Sequence, residues 1–362
     1  MEGWAAMAAF QGEIGLQFTI HIAHHYTVPD LVRLAGIAHR HGFDQVWVND
    51  NLTYRNLFVV LAAMAATVPI KLGTAIVVPY FRNPVDMADT IAAMTELTDG
   101  REFSIGIARG ADVIAGNQVD ALKPLTTIRE TVSSVNSLLA GDTVRFRDYP
   151  HLAAYFHLNP DWEFKLGFAP KAPVRFYSGG GGPKNLRIAG EIMDGILIGG
   201  YYIPLALSGR LEGMLGPSRD IATKFQPGKK TFDTCELNVS ISQDRDRALQ
   251  FAKPYVSHIL PTLRKMGFSD DELHAMGVEP NLVNTVEEAF VNGATVPEVS
   301  KLIPDEAVKS CFVAGRPEEC RDQIFELMEE AERLGFGQVC FAKLGPDYEE
   351  AITLLRENVL SN

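Results

Sequence analysis

The sequence has no excess of positive charge. Its 362 residues carry 33 Lys and Arg against 45 Asp and Glu, a formal net charge of −12. Nucleic-acid binders and anionic-membrane binders work through basic surfaces, so neither is expected as a partner. Cysteine is scarce: Cys235, Cys311, Cys320 and Cys340 are widely spaced and make no CxxC pair. That excludes a disulfide framework and reads as reduced thiols in a cytoplasmic protein. Cys311, in the apolar "KSCFVAG", is expected to be a buried, inert thiol. No stretch supplies the roughly 20 apolar residues of a membrane span. The opening "MEGWAAMAAFQG" has neither the basic flank nor the apolar run of a secretion signal. Residues 1–12 are therefore read as an extension, expected to be disordered, ahead of one domain over 13–362. Also missing are a P-loop, a Gly-x-Ser-x-Gly elbow and repeats of about 20–50 residues.

What is present is ordinary globular composition, 46% hydrophobic and 22% charged. Strand-like and helix-like segments alternate. "EIGLQFTIH" (13–21) has period two, with Ile14, Leu16, Phe18 and Ile20 on one face and Gln17, Thr19 and His21 on the other. Further strands are expected at 44–50, 70–79, 102–110, 174–179, 194–200, 232–242 and 338–344. Helices fall between them, opened by Pro29, Pro84, Pro124, Pro183 and Pro317 and often closed by glycine. Eight strands, each followed by helical sequence, predict an α/β fold of the (β/α)8 TIM-barrel type. An open doubly wound sheet would carry a glycine fingerprint after its first strand, and none is there. Two regions break the pattern and are read as insertions: 142–172, irregular and rich in aromatics, and the long, partly irregular helical stretch 244–310.

Barrels place their chemistry at the C-terminal ends of the strands. "FYSGGGGPKNL" (176–186) ends the fifth strand with four glycines and opens a helix at Pro183. Glycine lets the backbone approach a ligand, and a helix N-terminus offers N–H groups and a positive dipole end. The run is read as a phosphate cup, with Lys184 adding a cation; a tight turn is the plain alternative. The polar set Gln17, Thr19 and His21 should point into the barrel, as function or as a satisfied core network. "HIAHH" lacks the His-x-His spacing of a metal-dependent barrel hydrolase, so His21, His24 and His25 are not expected to hold a metal. Asp50, in "WVNDN", either meets a cofactor or caps the next helix.

Taken together, "FDQVWVNDN", "IKLGTAIVVPYFRNP", "MTELTDGREFSIGIARG", "GGGGPKNLRIAGEIMDGILIGG" and "FVAGRPEECRDQI" resemble the bacterial luciferase-like superfamily of flavin and deazaflavin barrels. Within it, "KPLTTIRETVSSVNSLLAGD" and "GPKNLRIAGEIMDGILI" are most similar to methylenetetrahydromethanopterin reductases and related enzymes. The resemblance implies an oxidoreductase that binds coenzyme F420 and moves a hydride between its C5 and a small organic substrate, as a cytoplasmic homodimer or higher homo-oligomer. An FMN-dependent monooxygenase of the same fold, and a cofactor-binding protein without turnover, are the alternatives. Carried over by position, Ser178, Gly179, Gly180, Gly181, Gly182 and Lys184 would hold the cofactor phosphate. Thr74, Ala75 and Ile76 would back the ring, with a cis peptide at Ala75–Ile76. Asn49 and Asp50 would meet its polar edge, and Arg109 would lie near ring or substrate.

The departures concern the substrate side. Many relatives have Asp-His where this chain has Asp50-Asn51, so no imidazole shuttles protons from that position. Gln17 and Gly181 stand where the methanopterin reductases have glutamate and glutamine. The residues expected at the chemistry are therefore Gln17, Asp50 and Asn51, with His21, His24 and His25 as replacement acid–base groups, His21 and His24 foremost. The aromatic insertion, with Tyr149, Tyr155, Phe156, His157 and Trp162, is expected to wall the pocket or to form an oligomer interface.

Overall fold

The computed structural model describes residues 10–22, 24–110 and 119–361. Its strands are β1 (Glu13–Phe18), β2 (Gln45–Val48), β3 (Lys71–Val77), β4 (Phe103–Ile107), β5 (Val144–Arg145), β6 (Glu163–Phe164), β7 (Val174–Ser178), β8 (Gly195–Ile198), β9 (Thr234–Ile241), β10 (Val313–Gly315) and β11 (Gln338–Gly345). Nine of them share one sheet in the order β10-β9-β11-β1-β2-β3-β4-β7-β8, and β9 pairs in addition with β8. The fold is the expected (β/α)8 barrel, with β10 as an added strand on the C-terminal half of β9, where Val313 pairs with Val239 and Gly315 with Ile241.

Helix starts follow the local chemistry. Thr27 and Asp30 form a reciprocal capping box ahead of Val28–Arg40. Asn56 and Asn83 accept from first-turn N–H groups of Leu57–Ala65 and Pro84–Leu97. The first of these sets aside the helix-capping alternative for Asp50: Asn56, six residues later, caps the second helix.

The chain groups into two compact units. One comprises Gly15–Leu197 and Met214–Thr234. Its core carries a layer in which Trp47 meets Tyr177 edge-on at 5.6 Å. Trp47 requires glycine at position 73, where a Cβ would lie 2.6 Å from the indole ring. The irregular 142–172 region belongs here and is more ordered than expected. β5 and β6 pair antiparallel, Val144 with Phe164 and Arg145 with Glu163, and a short helix spans Pro150–Tyr155. Strands of two residues leave no periodicity to read.

The other unit comprises Met1–Ile14, Ile198–Gly213 and Cys235–Asn362. Phe10 is buried and the Gln11 N–H donates to Glu332, so the described part of the N-terminal extension is packed. The 244–310 stretch resolves into helices Arg245–Lys265, Asp270–Ala275, Pro280–Val291, Val296–Ser300 and Asp305–Val308. All four cysteines are free and buried, and burial pushes the Cys311 thiol up to about 12. Among the described residues, no helix is long and apolar enough to cross a membrane.

Candidate functional site

The unit built from residues 15–197 and 214–234 gathers most of the expected site around one irregularity. The pairing of β3 with β4 shifts register between Thr74 and Val77. Within that bulge the Ala75–Ile76 peptide bond is cis. Neighbouring elements hold the bulge. Thr74 Oγ1 donates to the Gly106 carbonyl at 2.9 Å. A Cβ on Gly106 would come within 2.4 Å of the Thr74 carbonyl, so only glycine allows this approach. Gln17 Nε2 donates to the Ala75 carbonyl at 3.0 Å, and Thr19 Oγ1 donates to Gln17 Oε1 at 3.0 Å. The Asp50 N–H donates to the Ile76 carbonyl at 3.0 Å. Gln17 and Thr19 thus form a buried network that holds β3, and the Gln17 amide nitrogen is engaged by the bulge.

The end of β2 is equally committed. The Asp50 carboxylate is 3% exposed and accepts from Arg82 Nη1 at 2.6 Å and from the Val78 N–H at 3.1 Å. Arg82 also lies over the Phe58 ring, 5.0 Å from its centroid. A cavity of about 280 Å³ opens beside this pair, lined by Asp50, Asn51, Tyr54, Arg55, Asn56 and Arg82. Asn51 is buried at its wall. Asn49 Oδ1 accepts the Ile20 N–H at 2.7 Å, and its Nδ2 lies 3.1 Å from His21 Nδ1. His21 meets Tyr54 edge-on at 6.0 Å. His24 is exposed and touches the His21 carbonyl, and His25 packs on Tyr26. His21 contacts Asn49 at the end of β2, while His24 meets the loop beyond it, its carbonyl accepting from Arg55 Nη1 at 3.1 Å.

At the end of β7 the four glycines differ from one another. A Cβ on Gly179 would strike Ile76 Cγ2 at 2.4 Å, so this glycine lets β7 close on the bulge. A Cβ on Gly180 would strike Asn185 Nδ2 at 2.6 Å. That nitrogen donates to the Gly180 carbonyl at 2.8 Å and to Ser178 Oγ, bracing the loop from inside. Met214 lies 3.3 Å from a Cβ on Gly181. Nothing lies within 4 Å of a Cβ on Gly182. Gly182 is the N-cap of helix Pro183–Ile192, and no side chain caps that helix. Gly181, Gly182, Pro183 and Lys184 are exposed, whereas the Asn185 and Leu186 N–H groups donate to the Gly182 carbonyl at 2.9 and 3.0 Å, so the helix start offers a dipole end and the Lys184 cation.

Arg109 is exposed just past β4. The residues that follow it, 111–118, lie outside the described residues. The aromatic insertion divides: Tyr155 packs edge-on against Tyr80 at 5.5 Å, in the cluster that includes Ile76 and Val78, whereas Trp162 is largely exposed. Arg82, Asn185 and Met214 escaped the sequence reading. Their partners lie far away in sequence or, for Asn185, inside a motif whose glycines drew the attention.

In the second unit, β9 and β11 hold a buried polar group of their own. Asn238 Nδ2 donates to the carbonyls of Gly200 and Cys311, and its Oδ1 accepts from Lys343 Nζ at 2.9 Å. Burial pushes the Glu236 carboxyl up to about 7, against the pull of the Lys343 charge. Among the described residues, no group of three His, Cys, Asp or Glu side chains is placed to hold a metal ion.

Comparison with known proteins points one way. The profile of the luciferase-like monooxygenase family matches residues 12–336. A 5,10-methylenetetrahydromethanopterin reductase of Archaeoglobus fulgidus is 29% identical over 361 residues, covering 96% of this chain and 98% of the relative. An F420-dependent glucose-6-phosphate dehydrogenase of Nakamurella multipartita is 24% identical, covering 93% of each. Among solved structures, the coenzyme F420-dependent tetrahydromethanopterin reductase from Methanopyrus kandleri superposes with a TM-score of 0.75 at 22% identity, over 96% of this chain and 98% of that one.

Proposed function

Because the chain belongs to the luciferase-like monooxygenase family, we propose that it is a coenzyme F420-dependent oxidoreductase acting on a small organic substrate. Bound F420 supplies the hydride chemistry at its C5. The observation that carries the reading is the glycine loop, which fits a phosphate-bearing tail. Gly182 leaves a space that any Cβ would begin to fill, in front of an uncapped helix. Gly181, Gly182 and the backbone N–H and side chain of Lys184 would hold the phosphate. Ser178 and Gly180, braced by Asn185, set the loop's shape. Thr74, Ala75 and Ile76 would form the wall behind the ring, and Arg109 stands beside them at the end of β4. Asp50 acts through position: its carboxylate fastens Arg82 and Val78 to the end of β2.

The substrate differs from methylenetetrahydromethanopterin. Gln17 spends its amide nitrogen on the bulge where a carboxylate is expected in the reductases, and a carboxylate cannot donate that bond. A homo-oligomer is supported by helix Leu57–Ala65, which is apolar on every face and leaves Val59 59% exposed. A cytoplasmic setting is supported by four buried, unpaired thiols.

The test is a thermal-shift comparison of F420 with its deazaflavin core lacking the phosphate tail. F420 is expected to stabilise the protein well beyond the core alone. Equal shifts would remove the phosphate from the glycine loop.

A further inference from the structure

Resting on the F420 reading, we infer that Arg55 is a specificity-determining residue: in the cavity after β2 its guanidinium receives a carboxylate carried by the substrate. Residues 51–55 close a tight loop, with Asn51 bridged to Arg55 and Thr53 near its tip at a φ of 72°. Arg55 Nη1 donates to the carbonyls of His24 at 3.1 Å and Tyr54 at 3.0 Å. Two backbone oxygens thus fix the half-buried guanidinium through one nitrogen. Among the described residues Nε and Nη2 have no partner, and neither is sealed from solvent. Their N–H groups lie along one edge of the guanidinium, the fork that pairs with the two oxygens of a carboxylate.

The surroundings leave that fork to a ligand. Arg55 lines the cavity of about 280 Å³ together with Asp50 and Arg82. Those two neutralise one another at 2.6 Å, so the Arg55 charge is the one left over in the wall. Among the described residues no carboxylate forms an ion pair with Arg55. The Asp30 carboxyl is lowered first by its hydrogen bonds with Thr27 and last by the Arg55 charge. Asn56, in the same lining, adds a neutral donor. Its Oδ1 accepts the N–H groups of Phe58 and Val59, which sets the amide's orientation and leaves Nδ2 as the group on offer. Leu52 and Tyr54, both exposed, supply apolar surface for the rest of the ligand. One guanidinium balances one negative charge, which favours a carboxylate over a doubly charged phosphate. The cavity adjoins the wall assigned to the cofactor ring, because Asp50 holds the Ile76 carbonyl and the Val78 N–H at the end of β3.

The test titrates the protein, with F420 present, with propionate, lactate and benzoate, each beside its uncharged amide. At least one acid is expected to bind at least tenfold more tightly than its amide. The same acid should shift the Arg55 Nε–H signal in ¹H–¹⁵N spectra, a signal assigned by its loss in Arg55→Lys. Arg55→Met is expected to weaken the acid at least tenfold, the scale of a charge-assisted hydrogen bond, and to leave the Kd of the amide and of F420 unchanged. Binding of none of the acids, acid and amide bound alike, or acid affinity indifferent to Arg55→Met would overturn the assignment. An F420 Kd raised about tenfold in Arg55→Met would give the fork to an acidic group of the cofactor and overturn it as well. Should Arg55→Met fail to fold, the wild-type Nε–H signal decides: a shift with the acid and not with its amide supports the contact, and a signal unmoved by every acid rejects it. Should the wild type fail to bind F420 while acid binding still depends on Arg55, the functional reading falls and the carboxylate site stands.

Discussion

Gln17 Nε2 donates to the carbonyl of Ala75 at 3.0 Å, so one side chain of the first strand anchors the cis peptide of the third. Both partners are buried. Gln17→Glu removes the only donor that a side chain of that shape can offer and sets a carboxylate against a carbonyl oxygen. A buried hydrogen bond lost in this way costs about 1–3 kcal/mol. Denaturant unfolding at neutral pH should show a loss of that size, with Gln17→Met less damaging than Gln17→Glu. Equal stability of Gln17→Glu and wild type would contradict the anchoring role.

The Asp50–Arg82 pair is a second fixed point. Arg82 is 12% exposed and Asp50 3%. Removing one member of a buried pair strands the other charge, at a cost of about 3–5 kcal/mol. Asp50→Ala should lose stability on that scale. Asp50→Asn, which keeps an acceptor for the Val78 N–H, should lose less. Similar losses for both would place the stabilisation elsewhere.

These anchors mark where sequence reading stopped. The barrel was legible because strands such as "EIGLQF" alternate and helices open on Pro84, Pro124 and Pro183, local signals that need no tertiary information. The segment 201–231 offered none. Its helix Arg210–Phe225 contains Gly213, Gly216 and Pro217, which lower helix propensity, and it stands because Leu211, Leu215, Ser218 and Ala222 are buried along one stripe. At the site, the glycine run was visible and the cis Ala75–Ile76 bond follows from the resemblance. The pairing of Asp50 with Arg82, 32 residues apart, is a tertiary fact. So is the contact of Asn49 with His21, 28 residues apart.

The glycine loop can be taken apart one residue at a time. Gly182→Ala meets open space, and its φ of −71° suits alanine. The variant should unfold at the wild-type midpoint yet bind F420 at least tenfold more weakly. Gly180→Ala instead collides with Asn185 and should unfold about 1–3 kcal/mol more easily, the usual scale for overpacking. A Gly182→Ala protein with unchanged F420 affinity would take the phosphate out of this loop.

Glu236 makes stability depend on pH. Its carboxyl is raised from 4.5 to about 7 by burial, so the native state holds the proton more tightly than the unfolded chain. Between pH 4.5 and about 7 the unfolded chain has released that proton and the native state has not. Native stability therefore falls as pH rises through this window, by on the order of 2–3 kcal/mol. Glu236→Gln lacks this term, so the stability of the variant relative to wild type should climb between pH 4.5 and 7 and level off above. A flat difference across that range would mean that Glu236 ionises in the native protein as it does in water.

The most direct measurement is the affinity of the purified protein for F420 and, separately, for FMN, followed by quenching of tryptophan fluorescence. Micromolar or tighter binding of F420, with FMN weaker by at least tenfold, is the predicted result. A preference for FMN, or binding of neither, would contradict the account.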